Sequence, residues 1–238
     1  MNESTMTKDN LKQIIIIGGG AAGLQLATKL GHKLGKNKLA NITLIDKNLS
    51  YLWKPLWHEV AAGRIDVMKD KTEYLAHGNA HGFNFIMGEF AEIDRNYKVI
   101  KLNKTTISEQ EAILPAKIHY DYLVMAIGSV HNNFNTPGVD EHCITFDNLS
   151  ECEYFHDKLM FQLLKLFQSP NQELNIAIIG GGSTGVELAF EIKGTINELF
   201  SYNNVSKDNL KVNLSIIESS PSILANLDDE LIAESTKP

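Results

Sequence analysis

Cysteine is nearly missing from this 238-residue chain, which has only Cys143 and Cys152. So few cysteines exclude a disulfide scaffold and suggest a reducing compartment. Neither has a partner at metal-ligand spacing, so both read as ordinary thiols and no metal site is expected. Cations are also scarce. Lys and Arg number 22 against 29 Asp and Glu, a net charge of −7 with a pI near 5.6, and this argues against nucleic acid, which needs a basic footprint. No apolar run approaches the roughly 20 residues of a membrane-spanning helix. The opening MNESTMTKDN is polar and lacks the apolar segment of a secretory signal. It is expected to be a frayed tail on a soluble chain.

Glycine, by contrast, is concentrated in two matching places. QIIIIGGGAAGL begins at Gln13 and NIAIIGGGSTGVEL at Asn175. Both contain G-x-G-x-x-G, as Gly18, Gly20 and Gly23 and again as Gly180, Gly182 and Gly185. The loops lie roughly 160 residues apart, a domain length rather than a solenoid period. In such a loop the first glycine permits a tight turn and the second lets a pyrophosphate approach the backbone. The third lets helix and strand pack closely, while the helix N-terminus faces the phosphates. One match alone is weak; here each follows a β-branched strand and precedes a helix. An acid ends the next strand in both cases, Asp46 in NITLIDK and Glu218 in KVNLSIIESS. Such a carboxylate accepts hydrogen bonds from a ribose 2′-OH and repels a 2′-phosphate. Glu218 lies farther along than the usual ~20 residues, an excess the polar SYNNVSKDN absorbs. No Arg follows Glu218, so NAD(H) is favoured over NADP(H). Two dinucleotide loops imply two dinucleotides, and the economical chemistry is hydride transfer from a nicotinamide to a flavin.

Between and beyond the loops the texture changes several times. Ile14–Ile17 is the unbroken apolar run of a strand buried on both faces, and AAGLQLATKLGHKLG has helical spacing. Residues 50–82 read as loop plus helix. FNFIMGEFAEID, KVIKL and AILPAKIHYDYLVMAIG read as strands, forming a small antiparallel insertion that leads into a buried strand at 122–127. NTPGVDEH is a turn-rich joint. The next helix is expected to be capped by Ser150 and Glu153, to stop before Pro170, and to pack two domains together, a membrane-surface role being the alternative. A strand from Asn175 to Ile179 and a helix over about 184–199 follow, and LDDELIAESTKP looks like the start of another helix. His77 and His81 have the i, i+4 spacing of a helical metal pair, but the glycines and asparagine of HGNAHG make a helix poor, so they read as loop histidines.

IIIIGGGAAG, YLWKPLWHEVAAGRID, YDYLVMAIGS and IAIIGGGSTGVELAFEI together resemble the type II NADH dehydrogenases. These are single-subunit, FAD-dependent NADH:quinone oxidoreductases of the respiratory chain, within the two-dinucleotide-binding-domain flavoprotein superfamily. The resemblance runs from about Gln13 to Leu231, and its middle stretch is the most specific part. It implies an α/β fold of two Rossmann-like units, FAD-binding and then NADH-binding, the first with a small antiparallel β insertion and the second truncated. The division is residues 1–12 as tail, 13–145 as the FAD unit and 146–238 as the NAD(H) unit. By position, Gly18, Gly20, Ala22 and Gly23 would hold the FAD pyrophosphate, with Asp46 and Lys47 at the adenosine ribose. Lys54, Pro55 and Leu56 would lie near the isoalloxazine, and Ala126 and Gly128 where the chain passes close to FAD. Gly180, Gly182, Ser183, Thr184, Gly185 and Glu218 would bind NADH. Glu187 resembles the acid placed where nicotinamide, flavin and quinone meet, and it shares the catalytic assignment with Lys54. For each of these residues a packing or helix-dipole role is the alternative. The superfamily's dithiol and sulfide-oxidising branches are not expected, because NLSYLWKPLWHEV holds no cysteine.

Members of the resembled family run longer, and the chain is expected to lack their return to the FAD domain, much of the quinone site and the C-terminal amphipathic helices. Three readings follow and stay open: an NADH:quinone oxidoreductase, an NADH-dependent flavoprotein reductase with another acceptor, and a nucleotide-binding module without turnover. The substrates implied are NADH and quinone. The resemblance also implies a cytoplasmic protein, peripheral on the cytoplasmic face of the inner membrane through C-terminal parts, and a homodimer through the same parts.

Overall fold

The computed structural model describes residues 11–103, 106–107, 110–111, 117–168, 172–202, 211–225 and 227. Its strands are β1 (Lys12–Ile17), β2 (Ala40–Asp46), β3 (Ser50–Tyr51), β4 (Thr72–Glu73), β5 (Asn84–Met87), β6 (Glu89–Asp94), β7 (Val99–Asn103), β8 (Thr106–Ile107), β9 (Gln110–Glu111), β10 (Lys117–His119), β11 (Tyr122–Met125), β12 (Glu173–Ile179) and β13 (Lys211–Ile217). Its α-helices are α1 (Ala21–Leu30), α2 (Trp57–Ala62), α3 (Val67–Asp70), α4 (Tyr74–His81), α5 (Val139–His142), α6 (Leu149–Gln168) and α7 (Ser183–Tyr202). A π-helical turn, Gly31–Gly35, extends α1, and a 3-10 turn, Lys54–Leu56, precedes α2. The chain divides into two compact units, Met1–Lys54 with Lys71–Val130, and Pro55–Asp70 with His131–Pro238.

The first unit is built on a parallel sheet in the order β11-β1-β2-β5. Alternation along β1 explains its unbroken apolar run. Ile16 packs with Leu24 and Ala27 of α1, Tyr74 of α4 and Phe83. Ile15 and Ile17 point the other way, onto Ile100 and Leu102 of β7. That second face is covered by an antiparallel sheet, β10-β7-β6. The expected insertion is therefore present, but FNFI is not part of it. It forms β5, parallel to β2, because α4 supplies the crossover that parallel pairing requires. The strand expected to be buried over 122–127 stops at Met125. Among the described residues it is an edge, with Tyr122 60% exposed.

In the second unit β12 and β13 pair in parallel, from Glu173↔Lys211 to Ile179↔Ile217. The buried residues of α6, Cys152, Leu159, Leu163 and Leu166, recur at three- to seven-residue steps and so form one stripe. Helix α6 packs on α2 and β12 of its own unit. Its cap is also displaced from Ser150 and Glu153. The Asn148 Oδ1 accepts the Glu151 N–H at 3.0 Å, while the Glu151 carboxylate accepts the Asp147 N–H at 2.8 Å and the Thr145 hydroxyl at 2.9 Å. Asn148 is a stronger N-cap choice than a residue already inside the helix. Pro170 and the helix suggested by LDDELIAESTKP, beyond Leu227, lie outside the described residues. Among the described residues no helix is long and apolar enough to cross a membrane.

Candidate functional site

The first glycine loop is shaped by its neighbours as well as by its own sequence. Gly18 has φ +99°, and a Cβ there would sit 2.2 Å from the Ala126 carbonyl oxygen, so only glycine fits. Its N–H donates to the Ile45 carbonyl at 2.8 Å, and the Ala126 N–H donates to that of Ile17 at 2.7 Å. Ala126 thus lies directly against the turn, and Gly128, two residues on, also has positive φ, +73°. A Cβ on Gly23 would lie 1.8 Å from the Gly18 carbonyl oxygen, the close helix–strand contact that the third glycine permits. Gly20 is different: nothing lies within 4 Å of where its Cβ would be. It is the N-cap of α1 with no side-chain cap, and the first turn, which includes exposed Ala22, carries no acid. A helix start of this kind offers its first amides to an anion.

Asp46 ends β2 beneath this loop. Its Oδ2 accepts the Gly19 N–H at 2.7 Å and its Oδ1 the Asn48 N–H at 2.8 Å, leaving lone pairs for a hydroxyl donor. Lys47 beside it is exposed. Tyr74 supports the loop from behind, donating its hydroxyl to the Gly19 carbonyl at 2.9 Å from a site only 2% exposed. Burial, with the Asp46 charge nearby, pushes its phenol well above the ordinary range, so it stays a donor. Sequence reasoning missed Tyr74, since nothing in EYLAH marks a partner 55 residues away. Lys54 Nζ lies 3.5 Å from the Ser129 carbonyl, next to Gly128. Pro55 and Leu56 belong to the second unit, in the turn that enters α2.

The second loop repeats the first feature by feature. Gly180 has φ +112°, and its N–H donates to the Ile217 carbonyl at 2.8 Å. A Cβ on Gly185 would lie 2.1 Å from the Gly180 carbonyl oxygen, and Gly182, like Gly20, faces open space. Glu218 Oε2 accepts the Gly181 N–H at 2.7 Å, the counterpart of Asp46 with Gly19. Its Oε1 accepts the Ser220 N–H and the Ser219 hydroxyl. Hydrogen bonds from Ser220, Gly181 and Ser219 hold its carboxyl down at about 2, so it is ionised throughout the neutral range. Ser183 and Thr184 open α7, exposed and with no acid in the first turn. Glu187 follows on α7, and its Oε2 is 3.5 Å from Nδ1 of His58 on α2. His58 also escaped sequence reasoning, because α2 and α7 are more than a hundred residues apart in the chain.

His77 and His81 are helical, on α4, and not in a loop as expected. Gly78 is there for packing, since a Cβ would lie 2.6 Å from the Phe83 carbonyl oxygen, and that contact outweighs its poor helix propensity. His81 Nδ1 is 2.7 Å from His32 Nε2, and His77 Nε2 is 2.9 Å from the Thr28 hydroxyl. Among the described residues no group of three His, Cys, Asp or Glu is arranged to hold a metal.

Comparison with known proteins accords with this geometry. A family model described as pyridine nucleotide-disulphide oxidoreductase matches residues 12–237. A type II NADH:quinone oxidoreductase of Haemophilus influenzae is 38% identical over 240 residues, covering 94% of this chain and 54% of its own. One of Staphylococcus epidermidis is 31% identical over 231 residues, covering 95% of this chain and 54% of its own. The chain therefore spans about half the length of the curated relatives it matches. Among solved structures, NDH2 from Plasmodium falciparum in complex with NADH aligns with TM-score 0.77 at 24% identity, over 93% of this chain and 44% of that one. The sulfide:quinone oxidoreductase of Aquifex aeolicus aligns with TM-score 0.65 at 20% identity, over 94% and 49%. At these identities the structural likeness speaks for the fold, two dinucleotide-type α/β units in series.

Proposed function

The chain belongs to the pyridine nucleotide-disulphide oxidoreductase family, and from this we propose that it carries the FAD- and NADH-binding machinery of a type II NADH:quinone oxidoreductase. One observation carries the reading: both glycine loops present an open middle glycine, a helix start free of acids, and a strand-end carboxylate already bonded to the loop. These residues fit a dinucleotide pyrophosphate over Gly20 and another over Gly182, with the riboses at Asp46 and Glu218. FAD when bound supplies a two-electron acceptor for the nicotinamide hydride.

The chain's own residues bind and orient. Gly20, Ala22 and Gly23 offer backbone amides to the FAD phosphates across the turn that Gly18 permits, with Asp46 and Lys47 at the adenosine end. Lys54, Ala126 and Gly128 line the path toward the flavin ring, and Pro55 and Leu56 lead from that path into α2. Gly180, Gly182, Ser183, Thr184 and Gly185 receive NADH, and Glu218, ionised at neutral pH, disfavours a 2′-phosphate and so selects NADH over NADPH. Glu187 stands on the nicotinamide side, where the passage of electrons to a quinone calls for proton exchange. Among the described residues Cys143 and Cys152 form no disulphide. A quinone as electron acceptor, peripheral contact with the cytoplasmic face of the membrane and dimerisation belong to the same proposal, supported by the name of the relatives. A reductase with a non-quinone acceptor would use the same two loops.

Single glycine replacements test the assignment. Gly20→Val fills the open space of the first loop and should abolish FAD retention on gel filtration while NADH binding persists; Gly182→Val should do the reverse. Loss of both ligands in either variant, with the fold intact by circular dichroism, would refute the two-site reading.

A further inference from the structure

Helix α7 turns one stripe of residues toward the 58–64 segment: Glu187, Glu191, Gly194, Thr195 and Glu198, at the three- and four-residue steps of a helix face. Nearly every member is engaged. Arg64 donates from Nε to Glu191 at 3.0 Å and from a terminal nitrogen to Glu198 at 2.5 Å. Gly194 leaves room for that guanidinium, since a Cβ there would lie 2.2 Å from it. The Thr195 hydroxyl donates to the Ala62 carbonyl at 2.8 Å, with both groups buried. Val60, Ala61 and Ala62 are buried beneath these ties, and His156 of α6 lies against Gly63. The 58–64 segment is therefore fixed on α7 by Arg64, Thr195 and apolar packing, without help from His58.

His58 is left with a different partner. Its ring is largely buried, with 13% of the side chain exposed, whereas Glu187 is 53% exposed. At 3.5 Å from Nδ1 to Oε2 the two are in ion-pair range, and such contacts commonly tighten when a ligand binds. The remaining charges of the stripe, Glu191 and Glu198, are occupied by Arg64. We propose that His58 is a positioning residue for Glu187, drawing its carboxylate toward α2 and away from the first-turn amides of α7, so that those amides stay open to a dinucleotide phosphate. This rests on the second glycine loop being the NADH site. An untethered carboxylate one turn into the helix would compete with the phosphates for the same positive helix end and repel them.

The test is a double-mutant cycle read in NADH affinity, by fluorescence titration of the chain, and in urea unfolding. His58→Phe keeps bulk but loses the ring nitrogens, and it should weaken NADH binding by about threefold, the scale of a partly exposed ion pair. His58→Gln retains an N–H donor and should restore most of that loss. Glu187→Gln should bind NADH at least as well as wild type, and in its background His58→Phe should cost nothing. Unfolding midpoints of the single variants should fall only slightly, because Arg64 and Thr195 hold the segment, and the double variant should fall no further than the single variants. Unchanged affinity in His58→Phe, or a loss that persists in the Glu187→Gln background, would overturn the proposal. If the wild-type chain binds no NADH, the functional reading fails instead. The unfolding cycle then decides the pair by itself: non-additivity between positions 58 and 187 upholds the tether and additivity removes it.

Discussion

Glu218 does two jobs at the scale of a single residue. Its oxygens hold the Gly181, Ser219 and Ser220 groups that shape the second loop, and its charge faces the nucleotide ribose in the proposed site. Because these hydrogen bonds lower its folded pKa from the ordinary 4.5 to about 2, their stabilisation is fully present above pH 4.5 and fades as pH falls toward 2. Glu218→Gln should therefore melt at a lower temperature than wild type at pH 7, and the gap should narrow steadily below about pH 4.5. A gap that is constant across that range would show that the carboxylate's charge is irrelevant to the loop. The strand-end acids and the glycines are legible in sequence because each demand is local: a positive φ, an absent Cβ, an acid at a strand end. Tyr74 and His58 are not legible. Their partners, Gly19 and Glu187, are set by packing between distant segments, and neither residue type signals that by itself.

At the scale of elements, α6 illustrates how near a pattern can come without being right. Its length and apolar stripe follow from the sequence, yet the cap sits at Asn148 and Glu151, two residues before Ser150 and Glu153. Both pairs satisfy the same i, i+3 spacing, and the choice is made by where the chain enters, with Thr145 and Asp147 donating to Glu151. Asn148→Ala should cost about 1 kcal/mol of stability, measurable in urea unfolding, whereas Ser150→Ala should change it by much less. Equal effects would return the cap to the position expected from the pattern. Strand β5 tells a similar story. Its alternation is the same whether it joins an antiparallel insertion or the parallel sheet, and α4, with a helix-poor sequence, decides the matter by providing the crossover. Gly78 lets α4 form by admitting the Phe83 backbone, a demand no propensity scale contains.

At the scale of the whole molecule, the duplicated loop was the strongest signal in the sequence, and the structure gives it twice in three dimensions with the same hydrogen-bond plan. Less legible was the placement of Pro55–Asp70 in the second unit, which follows from α2 packing on α6 and α7. The central claim, that this chain holds a flavin and a nicotinamide in working relation, is tested most directly by the visible absorption spectrum of the FAD-loaded chain, recorded anaerobically before and after NADH is added. Under the two-site proposal the visible flavin bands bleach when NADH is added. A chain that retains FAD and NADH together but keeps its flavin bands unchanged would contradict it.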